Sequence, residues 1–178
     1  MYDGATVPST PHTIKPENVR GACPGDEAAI LDILREGHLE NGTFSFSDAK
    51  VLEMIKKATQ AKGAMIGVID APDGSIAACT GTLVDQYWYT ETDWVLTELW
   101  AFVRKPFRNS RFALDLIEFN KWAADSMGIP LSMGIMSTHK TEAKTRLYRR
   151  HLLHIGGFFM WGLERAHGPL AREDFSAH

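Results

Sequence analysis

The stretch ELWAFVRKPFRNSRFALDLI, residues 98–117, carries the strongest indication of the fold. Its pattern predicts a strand that ends at Val103, a basic turn and then an amphipathic helix. A helix that directly follows a strand presents unpaired backbone N–H groups and the positive end of its dipole to the turn. Four cationic side chains fall in this turn: Arg104, Lys105, Arg108 and Arg111. The segment therefore predicts a phosphate or pyrophosphate site, although a solvated basic turn has the same composition.

The elements around this segment predict an α/β (α+β) fold. Two helices come first, one over 27–37 and one capped by Ser47, with 37–46 as the loop between them. Strands over 64–70, 76–89 and 94–103 form a meander, with turn chemistry at 71–74. A strand over 131–136, a helix after Thr138 and a last strand over 158–163 follow the amphipathic helix. With a short strand at the beginning, the order is β-α-α-β-β-β-α-β-α-β, which predicts a mixed, mostly antiparallel sheet with helices on both faces.

Length and composition indicate one soluble domain. The chain has 178 residues, 44% of them hydrophobic, and a net charge of −3, so no overall basic field favours nucleic acid. We expect a flexible lead-in over 1–17, a single domain over 18–165 and a polar tail over 166–178. No apolar run is long enough to span a membrane. Two cysteines without CxxC spacing, Cys23 and Cys79, are typical of a reducing cytoplasmic setting.

The turn and the helix after it resemble motif A of the GCN5-related N-acetyltransferase (GNAT) superfamily. That motif reads Arg/Gln-x-x-Gly-x-Gly/Ala after a strand ending in Val, and its six positions match residues 108–113 here. The first motif glycine is replaced by Arg111. The resemblance extends over residues 19–163, where Leu147-Tyr148 precedes a Gly-Gly-Phe stretch at 156–158, as Leu-Tyr precedes Gly-Phe in the family.

The resemblance implies that acetyl-CoA is the co-substrate and that no metal takes part. Backbone amides at the motif A turn would hold its pyrophosphate, over Arg108, Asn109, Ser110, Arg111, Phe112 and Ala113. A backbone N–H near Phe102 or Val103 would polarise the thioester carbonyl. Tyr148 matches the tyrosine that protonates the departing thiolate in many members.

For the general base that the resemblance implies, we select Glu98. It lies within the apolar strand 94–103, where a carboxylate is either paired or has a raised pKa. A salt-bridged structural role, with Arg146 or Arg104 as partner, is the alternative. For Tyr148 the alternative is a core tyrosine whose hydroxyl reaches the surface.

Other reactive side chains give weaker signals. His139, His151 and His154 have no carboxylate or cysteine at ligand spacing, so we interpret them as surface residues. His38 and Glu40 fall where the family places a loop next to the substrate. Tyr87, Trp88, Tyr89, Trp94 and Trp100 concentrate on neighbouring strands, which favours a core role or a wall of the acceptor pocket.

The sequence therefore predicts an acetyl-CoA-dependent N-acetyltransferase that acts on the amine of a small molecule or a peptide. The alternative is a non-catalytic GNAT-fold module that binds CoA or a protein. This alternative stays open because Arg111 replaces the first motif glycine. A nucleic-acid-binding domain that uses 104–111 and 140–150 is disfavoured by the net charge. We expect no membrane partner, and the resemblance also allows a homodimer.

Overall fold

A computed structural model describes residues 13–137, 140–157 and 159–160. The described part of the chain forms β1 (Arg20–Gly21), α1 (Glu27–Asn41), α2 (Asp48–Thr59), β2 (Ala64–Asp70), β3 (Ile76–Gln86), β4 (Trp94–Val103), α3 (Phe112–Met127), β5 (Leu131–Ser132) and α4 (Thr141–His151). A single 3-10 turn, Lys105–Phe107, joins β4 to the start of α3. None of these helices is long and apolar enough to cross a membrane.

The strands lie in sequence order, β1-β2-β3-β4-β5, in one five-stranded sheet. The first four strands are antiparallel, and β5 pairs with β4 in parallel. The parallel pairing requires a crossover, which α3 provides between β4 and β5. This arrangement confirms the predicted mixed, mostly antiparallel sheet.

Helices cover both faces of the sheet, as predicted. On one face, the apolar stripe of α1 packs with α2 on sheet residues such as Ile66, Val68 and Phe102. On the other face, α3 packs Leu116 and Phe119 against Ile69 and Ala78. The side chains of β2 therefore face a core in both directions, which explains its nearly continuous apolar sequence.

Several predicted boundaries need correction. The first helix continues past Gly37 to Asn41, so the predicted loop 37–46 is much shorter and His38 and Glu40 lie in the last turn of α1. A Cβ at position 37 would come 3.0 Å from the ring of Phe102, so this glycine permits close packing of helix on strand instead of ending the helix. The third strand ends at Gln86 and the fifth is only two residues long.

The predicted last strand, 158–163, lies outside the described residues except for 159 and 160, which are not in a strand. Thr138, the predicted cap of the fourth helix, and His139 also lie outside them. Most of the predicted lead-in, 1–12, and the predicted tail are outside as well.

A β-bulge interrupts the pairing of β3 with β4. Gly81 is opposite Trp100 and Thr82 is opposite Glu98, which leaves Leu99 as the extra residue. A Cβ on Gly81 would come 2.2 Å from the Trp100 ring, so the indole occupies the space that a side chain at 81 would need. The bulge bends β4 at the point where Glu98 and Trp100 enter the site described below.

Strands β4 and β5 pair only at Leu96↔Leu131 and Thr97↔Ser132. Beyond Thr97, the outer edge of β4 is not paired with another described strand. The chain after β5 instead runs through 133–137 towards α4. The two strands therefore separate and leave a cleft in the sheet.

Candidate active site

A cavity of about 570 Å³ lies at the separation of β4 and β5. The ends of α1, the start of α2, the bulged part of β4, residues 134–137 and α4 form its walls. Most of its lining is apolar, and its polar side chains come from His38, Asn41, Lys50, Glu98, Trp100, Ser137, Lys144 and Tyr148. The volume falls in the range of small-molecule sites.

The structure brings Glu98 and Tyr148, the two side chains predicted as base and acid, into direct contact. The Tyr148 hydroxyl donates to the Glu98 carboxylate, at 2.9 Å from each oxygen. The N–H of Gly134 also donates to this carboxylate. Glu98 has no salt bridge with a described residue, so the alternative of a pair with Arg146 or Arg104 is wrong. Their catalytic roles stay predictions.

Burial dominates the acid–base properties of this pair. Desolvation raises the pKa of Glu98 from 4.5 to about 7, and the hydrogen bonds from Tyr148 and Gly134 only partly oppose it. Burial, followed by the negative charge of Glu98, raises the pKa of Tyr148 well above its usual range. At neutral pH the carboxyl is therefore divided between its two protonation states, while the phenol keeps its proton.

The motif turn is fixed to the rest of the protein by Arg108. Its guanidinium donates to the carbonyl of Val103 at 3.0 Å and to the carboxylate of Glu40 at 2.8 Å. The same group lies 5.3 Å from the ring centroid of Phe102. Arg108 therefore links the end of β4, the turn and the last turn of α1, and much of its charge is already neutralised.

Arg111 occupies the motif-glycine position without backbone strain. Its φ is −77°, a value that any residue adopts, and its side chain turns along the helix to bind Asp115 at 2.9 Å. Its side chain is 70% exposed, so it can still reach a ligand at the turn.

The N-terminal turn of α3 supplies free backbone donors. The N–H of Phe112 donates to the Ser110 hydroxyl at 3.2 Å. Within the described residues, those of Ala113 and Leu114 have no hydrogen-bond partner. Asn109 and Ser110 are exposed beside them. The turn thus retains the unpaired donors that the sequence predicted for an anion site.

Strand alternation distinguishes the two backbone donors proposed for the thioester. The N–H of Arg104 donates to the carbonyl of Ala77 on β3. Backbone groups alternate along a strand, so the N–H of Phe102 also points towards β3, whereas that of Val103 points to the open edge. Val103 is thus the better candidate of the two.

A polar cluster across the cavity was not predicted from the sequence. Lys144 donates to Asn41 Oδ1 and to Ser137 Oγ, each at 2.8 Å. One signal was present: Lys144 precedes Tyr148 by four residues, so both lie on the same face of a helix. The contact with α1, about 100 residues away in sequence, had no signal.

Of the remaining candidates, His38 and Trp100 line the cavity and the others lie outside it. His151 is 3.8 Å from Glu118, and His154 is exposed. No group of three metal-ligating side chains occurs among the described residues. The expectation of a core role is wrong for four aromatic residues that are exposed around the β3–β4 hairpin: Tyr87, Trp88, Tyr89 and Trp94. Trp100 does line the cavity.

No protein-family model matches the sequence, and no curated protein matches it either. Solved structures do match. An aminoglycoside 6'-N-acetyltransferase from Acinetobacter haemolyticus is 16% identical, with a TM-score of 0.61 over 81% of this chain and 95% of that one. An acetyltransferase from Trypanosoma brucei is 16% identical, with a TM-score of 0.60 over 80% and 96% of the two chains.

The aminoglycoside N-acetyltransferase AAC(6')-Iy, solved in complex with CoA, is 14% identical to this chain. Its TM-score is 0.61, over 80% of this chain and 91% of that one. At these identities the similarity concerns the fold. The chain has the fold of the GNAT acetyltransferases.

Proposed function

With the GNAT fold as the premise, we propose that the chain is an acetyl-CoA-dependent N-acetyltransferase. One observation carries the proposal: Glu98 and Tyr148 share a hydrogen bond inside a cavity that opens where β4 and β5 separate. A half-buried carboxyl with a pKa of about 7 and a protonated phenol suit the removal and the supply of a proton at neutral pH.

The residues present fit acetyl-CoA as a substrate. The unpaired N–H groups of Ala113 and Leu114, with Arg111 beside them, suit its pyrophosphate. The arginine at the motif-glycine position leaves these donors accessible, because its side chain turns towards Asp115. The N–H of Val103 at the open edge of β4 suits the thioester carbonyl.

In the proposed reaction, the acceptor amine attacks the thioester carbon, a C–N bond forms and the C–S bond breaks. The nitrogen must lose a proton and the departing thiolate must gain one. Glu98 takes the proton from nitrogen, directly or through a water molecule. Tyr148 gives its proton to sulfur and regains one from Glu98 along their 2.9 Å hydrogen bond.

This relay explains why the two side chains should act together. A bare phenolate in this position is costly, because burial and the charge of Glu98 both raise the pKa of Tyr148. Transfer of the Glu98 proton to Tyr148, as Tyr148 protonates sulfur, avoids that species. The net result moves one proton from the amine to the thiolate and restores both side chains.

A thiol-release assay with acetyl-CoA and a panel of amines tests the proposal. We expect the wild type to release CoA only when an amine is present, and Tyr148→Phe to lose about 10²-fold or more in kcat. Mass spectrometry of the acetylated amine confirms the transfer. Tyr87→Phe removes an exposed hydroxyl outside the cavity and serves as the control.

Two results would contradict the proposal. Transfer by Tyr148→Phe at the wild-type rate would show that Tyr148 only packs in the cavity wall. CoA binding without transfer to any amine would favour the alternative, a non-catalytic CoA-binding module.

A further inference from the structure

Lys144, Asn41 and Ser137 form a polar cluster on the cavity wall that the proposed reaction does not use. Lys144 Nζ donates to Asn41 Oδ1 and to Ser137 Oγ, both at 2.8 Å, and Ser137 Oγ donates to Asn41 Oδ1 at 2.8 Å. Asn41 Nδ2 in turn donates to the carbonyl of Gly37 at 3.1 Å. Three separate parts of the chain thus hold the ammonium group in one position.

Among the described residues, no anion is in contact with the ammonium group of Lys144. Both of its acceptors are neutral groups, and they use two of its three N–H donors. Glu40 attracts the ammonium only at longer range, and its carboxylate is already paired with Arg108 at 2.8 Å. Burial lowers the pKa of Lys144, the result expected of an ammonium without an anion in contact. A ligand carboxylate or phosphate in contact with the Lys144 ammonium would offset this desolvation cost.

A second lysine, Lys50, also lines the cavity, and Glu98 is the one carboxylate among its described lining residues. At neutral pH the Glu98 carboxyl is only partly ionised, because its pKa is about 7. Such a wall disfavours a polycation, which needs several carboxylates, and favours a ligand that carries a negative charge.

We propose that Lys144, positioned by Asn41 and Ser137, binds an anionic group of the acceptor, so that the acceptors of this enzyme are amines that also carry a carboxylate or a phosphate. Lys144 and Tyr148 are one helical turn apart on α4, about 6 Å along the helix axis. The acceptor would therefore place its amine near Glu98 and its acidic group near Lys144. This inference rests on the proposed N-acetyltransferase function for the identity of the amine, and on the cluster itself for the anion.

The test uses matched amines that differ only in the acidic group. One pair is β-alanine and its amide, another is phosphoethanolamine and ethanolamine, and kanamycin represents the polycations. We expect the wild type to prefer the acidic member of a pair at least about 10-fold in kcat/KM, and the two pairs distinguish a carboxylate from a phosphate. Lys144→Met should remove this preference while the KM for acetyl-CoA changes less than about twofold.

Arg149→Met is the matched control, because it removes a cation from an exposed position on the same helix. It should keep the preference. Lys144→Gln retains hydrogen bonding without charge and should behave as Lys144→Met does, and thermal melts establish that each variant is folded.

Preference of the wild type for neutral amines or for kanamycin would overturn the inference. So would a Lys144→Met variant that changes only the KM for acetyl-CoA, since Lys144 would then contact the co-substrate. Calorimetry of the CoA-bound protein with the same pairs separates this inference from the proposed function. Tighter binding of the acidic members without turnover would support the anion site and contradict catalysis, and equal binding of both members would overturn the anion site.

Discussion

At the scale of single residues, the carboxyl group of Glu98 combines a functional position with an energetic cost. It lies in a largely apolar cavity, where the Tyr148 hydroxyl and the Gly134 N–H are its hydrogen-bond donors. Its pKa of about 7 in the folded protein, against 4.5 ordinarily, means that the folded state holds this proton more tightly than the unfolded chain does. The stability that the protonated group contributes is complete below pH 4.5 and is lost as the pH rises through 7.

We predict that Glu98→Gln stabilises the protein above pH 7 and slows catalysis. The amide keeps the shape and accepts the Tyr148 hydrogen bond but never ionises. At pH 8 the free energy of unfolding of the variant should be roughly 1–3 kcal/mol higher than that of the wild type, since one pKa unit corresponds to about 1.4 kcal/mol. Near pH 5 the difference should shrink below about 1 kcal/mol. Urea denaturation at both pH values measures this.

The kinetic part of this prediction uses the pH profile. The kcat/KM of the wild type should rise with pH through about 7, as Glu98 ionises, and Glu98→Gln should lose this limb together with about 10²-fold or more of its rate. The pH profile of the variant should still rise at higher pH, where the acceptor amine itself loses its proton. Destabilisation of the variant at pH 8 with normal activity would instead indicate a structural carboxylate.

The sequence pointed to individual residues better than to their contacts. Glu98 could be selected because a carboxylate within an apolar strand needs an explanation, and Tyr148 because of its place in a motif. Their hydrogen bond joins residues 50 positions apart, and a pattern of single residues contains no distance between them. Lys144 was missed for the same reason, because a lysine on a helix is ordinarily solvated and only its contact with Asn41 makes it unusual.

At the scale of elements, the two arginines of the motif turn have different surroundings. Arg108 is largely occupied by Glu40 and the Val103 carbonyl, whereas Arg111 is exposed and makes one ion pair on its own helix. The sequence predicted the same role for both, the binding of pyrophosphate. The structure indicates that Arg108 positions the turn and that Arg111 is available to the ligand.

We predict that the two alanine variants lose CoA affinity for different reasons. Arg108→Ala breaks a partly buried ion pair and a backbone hydrogen bond, so it should lower the free energy of unfolding by about 1–3 kcal/mol and weaken CoA binding as the turn loosens. Arg111→Ala should change stability by about 1 kcal/mol, because the guanidinium is 70% exposed and its buried partner, Asp115, keeps the hydrogen bond from Asn18 Nδ2. It should raise the Kd for CoA about tenfold by loss of a direct contact. Thermal melts and calorimetry measure the two effects.

Lys105→Ala is the matched control for the turn. This lysine is 73% exposed and 4.0 Å from Glu40, so its removal takes away the same charge without an important contact. Equal CoA affinity in the wild type and in both arginine variants would show that the turn does not bind the pyrophosphate.

The sequence also predicted the type of element more reliably than its length. Strand β4 and the cap of α2 by Ser47 follow from local patterns, and both have the predicted positions. The extension of α1 past Gly37 depends on packing against Phe102 from β4, which is 65 positions away. The shortness of β5 depends on its divergence from β4. Both are tertiary effects that local periodicity does not contain.

At the scale of the whole molecule, stability is distributed unevenly. Strands β2 and β3 and helix α3 bury residues in cores on the two faces of the sheet. No residue of helix α4 is fully buried, and Tyr148 and Lys144, which it carries to the cavity, are half-buried. Elements with few buried side chains open at low free-energy cost, independently of global unfolding. A substrate in the cavity would add contacts to the face of α4 that carries Tyr148 and Lys144, and so would stabilise this helix.

We predict that hydrogen exchange in α4 is fast in the free protein and slow with acetyl-CoA. In the free protein, amides over 141–151 should exchange by local opening, well before those of β2 and β3. If that opening releases the ligand, a concentration of 100 Kd should slow exchange in α4 by up to about 100-fold. The exposed turn 72–74 lies away from the cavity and should exchange at the same rate with and without ligand. Mass spectrometry of peptides from these segments measures both. Protection of α4 equal to that of β3 without ligand would mean that α4 is an integral part of the folded core and that its side chains reach the cavity in a fixed position. A ligand effect at 72–74 larger than at α4 would contradict the prediction that the ligand acts on α4.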